Sequence, residues 1–276
     1  MNKINEIFEK QVINQELISE IEKIAEPTTK YIIAMTPRSG SSHLCDVMKN
    51  TKLFGNPGEF LPAEFIPKII LRAPANNADD YLVNVLKVLQ SENGVSGVKT
   101  SWFQFQLFCG ALKNRSVIRK YKYVYLVRRD VAVQAVSLYK ATESSFFHTN
   151  ISHSEDVLNK NRQLEYNYEK INKWHKHILA QEDGWQKYFL LNNIFPLCIT
   201  YEDIESDVAG VVKRIAAYIG LSPESADNIP TISMFKKIGD RKNIEWACQF
   251  VLENDEQVRT VDTKTKQTVG HAEISS

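Results

Sequence analysis

The segment Tyr31–Ser42, YIIAMTPRSGSS, sets the fold class. Tyr31–Met35 is a short unbroken apolar run, the pattern of a strand buried on both faces. Thr36–Gly40 has turn chemistry, with Pro37 and Gly40 breaking the pattern. From Ser41 the apolar spacing becomes helical, with Leu44, Val47 and Met48 on one side, until Gly55 ends it. Strand, tight turn and helix in this order form the opening unit of a parallel α/β sheet.

The turn also carries chemistry. The first N–H groups of a helix have no intrahelical partner, and the helix dipole favours negative charge there. Ser39, Gly40, Ser41 and Ser42 are small enough for backbone to wrap an anion, and their hydroxyls add donors. Arg38 adds a forked, permanently charged donor set. The segment is not GxxxxGK[ST]: no lysine precedes the hydroxyl that would hold Mg²⁺. A ligand with a single phosphate at this end needs neither group. The plainer reading is a Ser-rich helix cap beside a surface arginine.

Outward from this unit, Val95–Thr100, Tyr123–Val127 and Phe195–Thr200 read as further strands. Helical patterns occupy Tyr81–Leu89, the residues after Asp130, and roughly 160–182, where Gly184 is expected to end the helix. Another runs to Tyr218, capped by Ser206 or Asp207 and closed by Gly220. Ile4, Ile7, Phe8, Ile13, Leu17, Ile21 and Ile24 form one amphipathic N-terminal helix ending before Pro27. Such a helix packs on its own domain, or else makes a homodimer contact. The expected organisation is this helix over 1–27, a single α/β domain over 28–255, and a polar, flexible tail over 256–276.

Composition narrows the partners. The 276 residues are 43% hydrophobic and 24% charged, with a net charge of +1, so no global field favours nucleic acid or a membrane. No stretch approaches the roughly 18 apolar residues of a membrane span, and residues 1–26 lack a signal-peptide core. Cys45, Cys109, Cys198 and Cys248 lie far apart without a CxxC pair, which reads as a reduced, cytoplasmic protein with no zinc site.

A second basic site stands at Arg128 and Arg129, where a strand gives way to a helix. Ligands of open α/β sheets bind at such strand ends. An arginine there and Ser137, two turns along, could clamp a second phosphate. The alternative is an ion pair at Arg129 and a packed Ser137. Two anion sites at the ends of neighbouring strands suit a nucleotide phosphorylated at both 3′ and 5′ positions. Lys99 ends the strand pattern at Gly97–Lys99 and is either an assisting cation or a surface lysine. Trp174 and His175 are candidates for an acceptor pocket, or simply pack. His175 and His177 are two apart on a helix and face different directions, so they make no metal pair.

Together these residues resemble a known family. Tyr31–Ser42, Gly55–Phe60 (GNPGEF), Gly97–Trp102 (GVKTSW), Arg128–Ser137 (RRDVAVQAVS), Gly184–Trp185 and Ile199–Tyr201 match, in order, bacterial sulfotransferases of the trehalose 2-sulfotransferase type. The resemblance runs from about residue 31 to about residue 248. It implies a P-loop-like three-layer α/β fold with a central parallel sheet flanked by helices, to which the N-terminal helix is extra. It implies 3′-phosphoadenosine 5′-phosphosulfate (PAPS) as sulfuryl donor and no metal. By match, Arg38, Ser39, Gly40, Ser41 and Ser42 hold the 5′-phosphosulfate, and Arg128 rather than Arg129 holds the 3′-phosphate with Ser137. Glu59, in a Gly/Pro-bounded loop, falls on the family's general base. Arg241 or Lys242, before Ile244-Glu245-Trp246, closes over the nucleotide. Segment 60–94 departs from the family, and the acceptor is expected to bind there.

The function this implies is in-line transfer of a sulfuryl group from PAPS to a hydroxyl of a carbohydrate or glycolipid. Charge builds on the leaving oxygen, where Arg38 and loop N–H groups can meet it. Two other classes compete: a P-loop-type nucleotide kinase, which the missing lysine disfavours, and a non-catalytic nucleotide-binding protein on the same fold.

Overall fold

The structure is a computed structural model that describes residues 3–11, 14–147, 154–222, 233–234 and 241–255. The elements, in order, are α1 (Lys3–Glu9), α2 (Gln15–Glu22), β1 (Thr29–Met35), α3 (Ser41–Asn50), α4 (Ile66–Ile69), α5 (Ala78–Leu89), β2 (Val95–Ser101) and α6 (Trp102–Cys109). Then follow α7 (Ser116–Arg119), β3 (Lys122–Val127), α8 (Val131–Ser144), α9 (Glu155–Gln163), α10 (Tyr168–Leu191), β4 (Leu197–Thr200) and α11 (Tyr201–Ile219). A further helix covers 241–255. The chain divides into two compact units. One comprises Met1–Arg129 with Ile178–Lys236, the other Asp130–His177 with Lys237–Ser276.

In the first unit the four strands form one parallel sheet in the order β2-β1-β3-β4. β1 is therefore central, as an unbroken apolar run demands. Its residues alternate between two cores. Ile32 and Ala34 join Tyr123 and Tyr125 on the face covered by α5, α6 and the end of α10. Tyr31, Ile33 and Met35 join Val124 and Leu126 on the face covered by α3 and α11. The result is an α/β sandwich of three layers, a parallel sheet with helices on both sides.

The N-terminal segment is two helices rather than one. α1 ends at Glu9 and α2 begins at Gln15, where Asn14 caps it by accepting from Leu17 N–H at 3.1 Å. Ile13 lies outside the described residues. Ile4 and Phe8 are buried in the first unit's core, and the Phe8 ring meets Tyr81 of α5 at 5.6 Å. These two side chains of the apolar face therefore pack within their own unit.

Two helix boundaries differ from those read in the sequence. Gly184 does not end a helix but sits inside α10, which runs to Leu191. A side chain there would collide with the Trp102 indole, so glycine serves close approach rather than termination. The expected helix over roughly 160–182 is α9 and α10, separated by an extended turn at Leu164. α11 starts at Tyr201, capped by Thr200. Asp207 leaves helical geometry (φ −156, ψ 80) and accepts from Gly210 N–H at 2.8 Å, capping a second segment inside the helix. The tail expected to be flexible, 256–276, lies outside the described residues.

In the second unit, Asp130 caps α8 by accepting from Val133 N–H at 2.9 Å. Trp246 packs against Tyr139 at 6.1 Å and Tyr166 at 6.2 Å, and Phe250 against Tyr168 at 5.4 Å. Buried Lys140 donates to Asn243 Oδ1 at 2.7 Å. Among the described residues, no helix is long and apolar enough to cross a membrane.

Candidate active site

The site stands at the carboxyl ends of the strands of the first unit. β1 stops at Met35, where buried Trp185 holds the carbonyl through its indole N–H at 3.2 Å. The chain then turns within five residues into α3. Two backbone positions make that turn: Arg38 has φ +67 and Gly40 has φ +82. An arginine in the left-handed region costs of order 1 kcal/mol, a strain found chiefly where function requires it. At Gly40 a side chain is refused twice over, because a Cβ would lie 2.8 Å from the Tyr201 ring. Ser39 is fully buried, and its Oγ has no hydrogen-bond partner among the described residues.

Arg38 and Arg128 are neighbours. Arg128 follows β3, the strand paired with β1, so the two strand tips lie side by side. Burial first, and then the like charge of Arg128, push Arg38 down to about 10, with Tyr201 acting the other way. The Arg128 guanidinium lies over the Tyr201 ring at 4.3 Å, and its Nε is enclosed with no hydrogen-bond partner among the described residues. Burial, followed by the hydrogen bond with Glu205, pushes the Tyr201 phenol up to about 12. Arg129 turns the other way. Its guanidinium meets Asp203 Oδ1 at 3.4 Å, and its N–H donates to Glu202 at 3.2 Å. Adjacent arginines thus divide into one held by acids on the surface and one stacked beside Arg38.

Next to the loop is a second cluster. Lys99 is only 6% exposed, so the plain surface reading of this residue is wrong. Its Nζ donates to Ser42 Oγ at 2.8 Å and pairs with Glu59 Oε1 at 3.2 Å. A parallel bridge between Glu59 and Lys99, with Lys99 N–H donating to Gly58 O at 2.9 Å, fixes their backbones against each other. Glu59 remains partly open, its side chain 29% exposed. One cation therefore links the anion-loop hydroxyl to a solvent-reaching carboxylate.

The structure thus brings Arg38, Ser39, Gly40, Ser41, Ser42, Glu59, Lys99 and Arg128 into one region of the first unit. Ser137, Arg241 and Lys242 belong to the second. There Ser137 is buried on α8. Arg241 is exposed and pairs with Glu245 at 2.8 Å. Lys242 Nζ donates to Leu164 O at 2.7 Å and lies 4.8 Å from the Trp246 ring. Trp174 packs on His177 at 5.2 Å, and His175 on Phe250 at the same distance. Sequence reasoning gave Tyr201 no role of its own, although Ile199–Tyr201 was among the matching segments. The signal was an aromatic residue at the first helical position after a strand, next to the anion loop.

Comparison with known proteins identifies the family. A family model described as Stf0 sulphotransferase covers residues 30–253. The chain belongs to the Stf0 sulphotransferase family. It is similar to the trehalose 2-sulfotransferase of Mycolicibacterium smegmatis, 24% identical over 268 residues, spanning 82% of this chain and 96% of that protein. It is similar also to the trehalose 2-sulfotransferase of Mycobacterium tuberculosis, 24% identical over 261 residues, spanning 80% and 93%. Among solved structures, a sulfotransferase from Alicyclobacillus acidocaldarius matches with a TM-score of 0.43 and 13% identity, covering 83% of this chain and 92% of that one. The chain is therefore an enzyme, a sulfotransferase, and the kinase and non-catalytic readings fall away.

Proposed function

We propose that this sulfotransferase moves the sulfuryl group of PAPS onto a hydroxyl of a carbohydrate or glycolipid, with Glu59 as general base. The observation that carries the reading is the placement of Lys99 Nζ, 2.8 Å from Ser42 in the anion loop and 3.2 Å from Glu59. It sets donor-gripping and proton-accepting groups side by side.

The residues suit a donor with phosphates at both ends. Two guanidinium groups close enough for one to depress the other repel each other, and a ligand carrying a 5′-phosphosulfate and a 3′-phosphate would relieve that repulsion. Arg38, Ser42 and the N–H groups opening α3 would take the first group, and Arg128 the second. Bound PAPS supplies the sulfuryl group and leaves as adenosine 3′,5′-bisphosphate. Glu59 takes the proton of the acceptor hydroxyl as its oxygen bonds to sulfur, and the bridging S–O bond breaks with its electron pair on the phosphate oxygen. Lys99 and Arg38 are aimed where that negative charge grows. A base so placed contributes about 10²–10⁴-fold. The four thiols are free, which suits a reducing, cytoplasmic setting.

The test is transfer of ³⁵S from labelled PAPS to a panel of sugars and glycolipids. Label on at least one carbohydrate hydroxyl is expected. Transfer only to phenols or amines, with every sugar unlabelled, would overturn the acceptor assignment.

A further inference from the structure

We propose that the end of the first unit's sheet opposite the active site is a docking surface for an anionic phospholipid bilayer. The observation is a patch that is both apolar and cationic in a chain whose net charge is only +1. Leu190, Leu191 and Phe195, where α10 ends and the chain turns toward β4, are 78%, 81% and 86% exposed. Large apolar side chains gathered this openly mark an interaction surface.

Cations flank them on two sides. Lys122 opens β3, its Nζ 5.5 Å from the Tyr218 ring, and the Tyr218 hydroxyl donates to Phe195 O at 3.1 Å. Arg119 ends α7 and is close enough to bear on the Tyr188 phenol, which pairs with Tyr123 at 3.1 Å two residues before Leu190. Lys120 stands between them, exposed like its neighbours. The two stretches that build this face carry no Asp or Glu: none occurs from Asn93 to Arg129, and none from Gly184 to Tyr201. Two carboxylates border the basic run: Asp79 accepts from the N–H groups of Lys113 and Asn114 at 2.9 and 3.2 Å, and Glu26, near enough to bear on the Tyr121 phenol, is paired with Lys30.

This pairing selects the occupant. A protein partner that covered the apolar side chains would need a matching acidic rim. A bilayer rich in anionic lipid supplies apolar depth and negative charge at once, and the cytoplasmic leaflet has that character. Strand direction fixes the consequence for catalysis. β3 places the Lys122 end roughly 20 Å from the Arg128 end. Docking would leave the donor loop facing away from the lipid and open to dissolved PAPS.

The test is co-sedimentation of the full chain with phosphatidylcholine vesicles, with and without phosphatidylglycerol, at 50 mM and 500 mM NaCl. Binding is expected to the anionic vesicles only, and to weaken at high salt. Arg119→Gln/Lys120→Gln/Lys122→Gln is expected to lower partition about 100-fold, at about fivefold per cation. Leu190→Ser/Leu191→Ser/Phe195→Ser is expected to lower it at least tenfold. These side chains are open to water, so both variants should keep the melting temperature and the transfer rate on a dissolved acceptor. No binding to anionic vesicles at 50 mM salt, or wild-type binding by both variants, would overturn the proposal. So would a solution dimer that the serine variant alone dissociates, because the occupant would then be a second copy of this chain.

Discussion

Replacing Glu59 by Gln separates the role of its charge from the role of its shape. The amide keeps the length of the side chain, and its oxygen can still accept from Lys99 Nζ, which lies 3.2 Å from the carboxylate. The backbone bridge to Lys99 is untouched, so neither residue is free to drift. Stability should fall by no more than about 1 kcal/mol, or about 2–4 °C in melting temperature for a chain of this size. Catalysis should suffer far more. Loss of a positioned base removes about 10²–10⁴-fold, equivalent to about 2.7–5.4 kcal/mol of barrier. In the proposed binding mode other residues hold the donor, so affinity for adenosine 3′,5′-bisphosphate should stay within about threefold of wild type. Glu59→Asp gives an independent check: the carboxylate withdraws by one methylene, and a misplacement of about 1 Å can cost about 10²-fold. The assay is the initial rate of ³⁵S transfer at saturating PAPS and acceptor, alongside calorimetric binding of the bisphosphate. A Glu59→Gln enzyme that folds, binds nucleotide and turns over within threefold of wild type would remove Glu59 from the mechanism.

Three further outcomes follow from the same geometry. Tyr201→Ala should weaken bisphosphate binding about 2–30-fold by freeing Arg128 from the ring, whereas Tyr201→Phe should bind nearly as wild type in the same titration. Gly184→Ala should lower the melting temperature, because the overlap with Trp102 at about 1–3 kcal/mol outweighs the gain of about 1 kcal/mol that alanine brings to a helix interior. Asp203→Asn should destabilise the protein at neutral pH, and progressively less as the pH falls below the ordinary aspartate range. The N–H of Thr200 holds the Asp203 carboxyl below its usual range, helped by the Thr200 hydroxyl, Arg214 and Arg129. The native state then binds fewer protons than the unfolded one across that window. The contribution is present above the ordinary aspartate pKa and lost as pH falls through the native value, so the melting curves of the two proteins should converge in acid.

Much of this was legible in the sequence. The four strands, the turn after β1 with its helix, and the helix after Asp130 follow from apolar runs broken by turn residues. Those patterns are local, and the sheet satisfies them as written. Where the reading went astray, tertiary contact overrode a local rule. Gly184 looks like a helix stop, yet Trp102, 82 positions earlier in the chain, uses its missing side chain. Lys99 looks like a surface cation because lysine is rarely buried. Only the pairing of its strand end with Gly58–Glu59 shows that a carboxylate and a hydroxyl await it. Tyr201 carries no motif of its own, and its place between Gly40 and Arg128 needs β4 to lie beside β3.

Two arginines at neighbouring strand tips carry the proposed donor site, and direct titration tests them most simply. Adenosine 3′,5′-bisphosphate should bind the wild-type chain saturably and one to one in a calorimeter, and more tightly than 5′-AMP. Arg38→Gln and Arg128→Gln should each weaken that binding at least tenfold. Absence of binding at millimolar bisphosphate, or binding that neither substitution weakens, would contradict the assignment of these two residues to the donor.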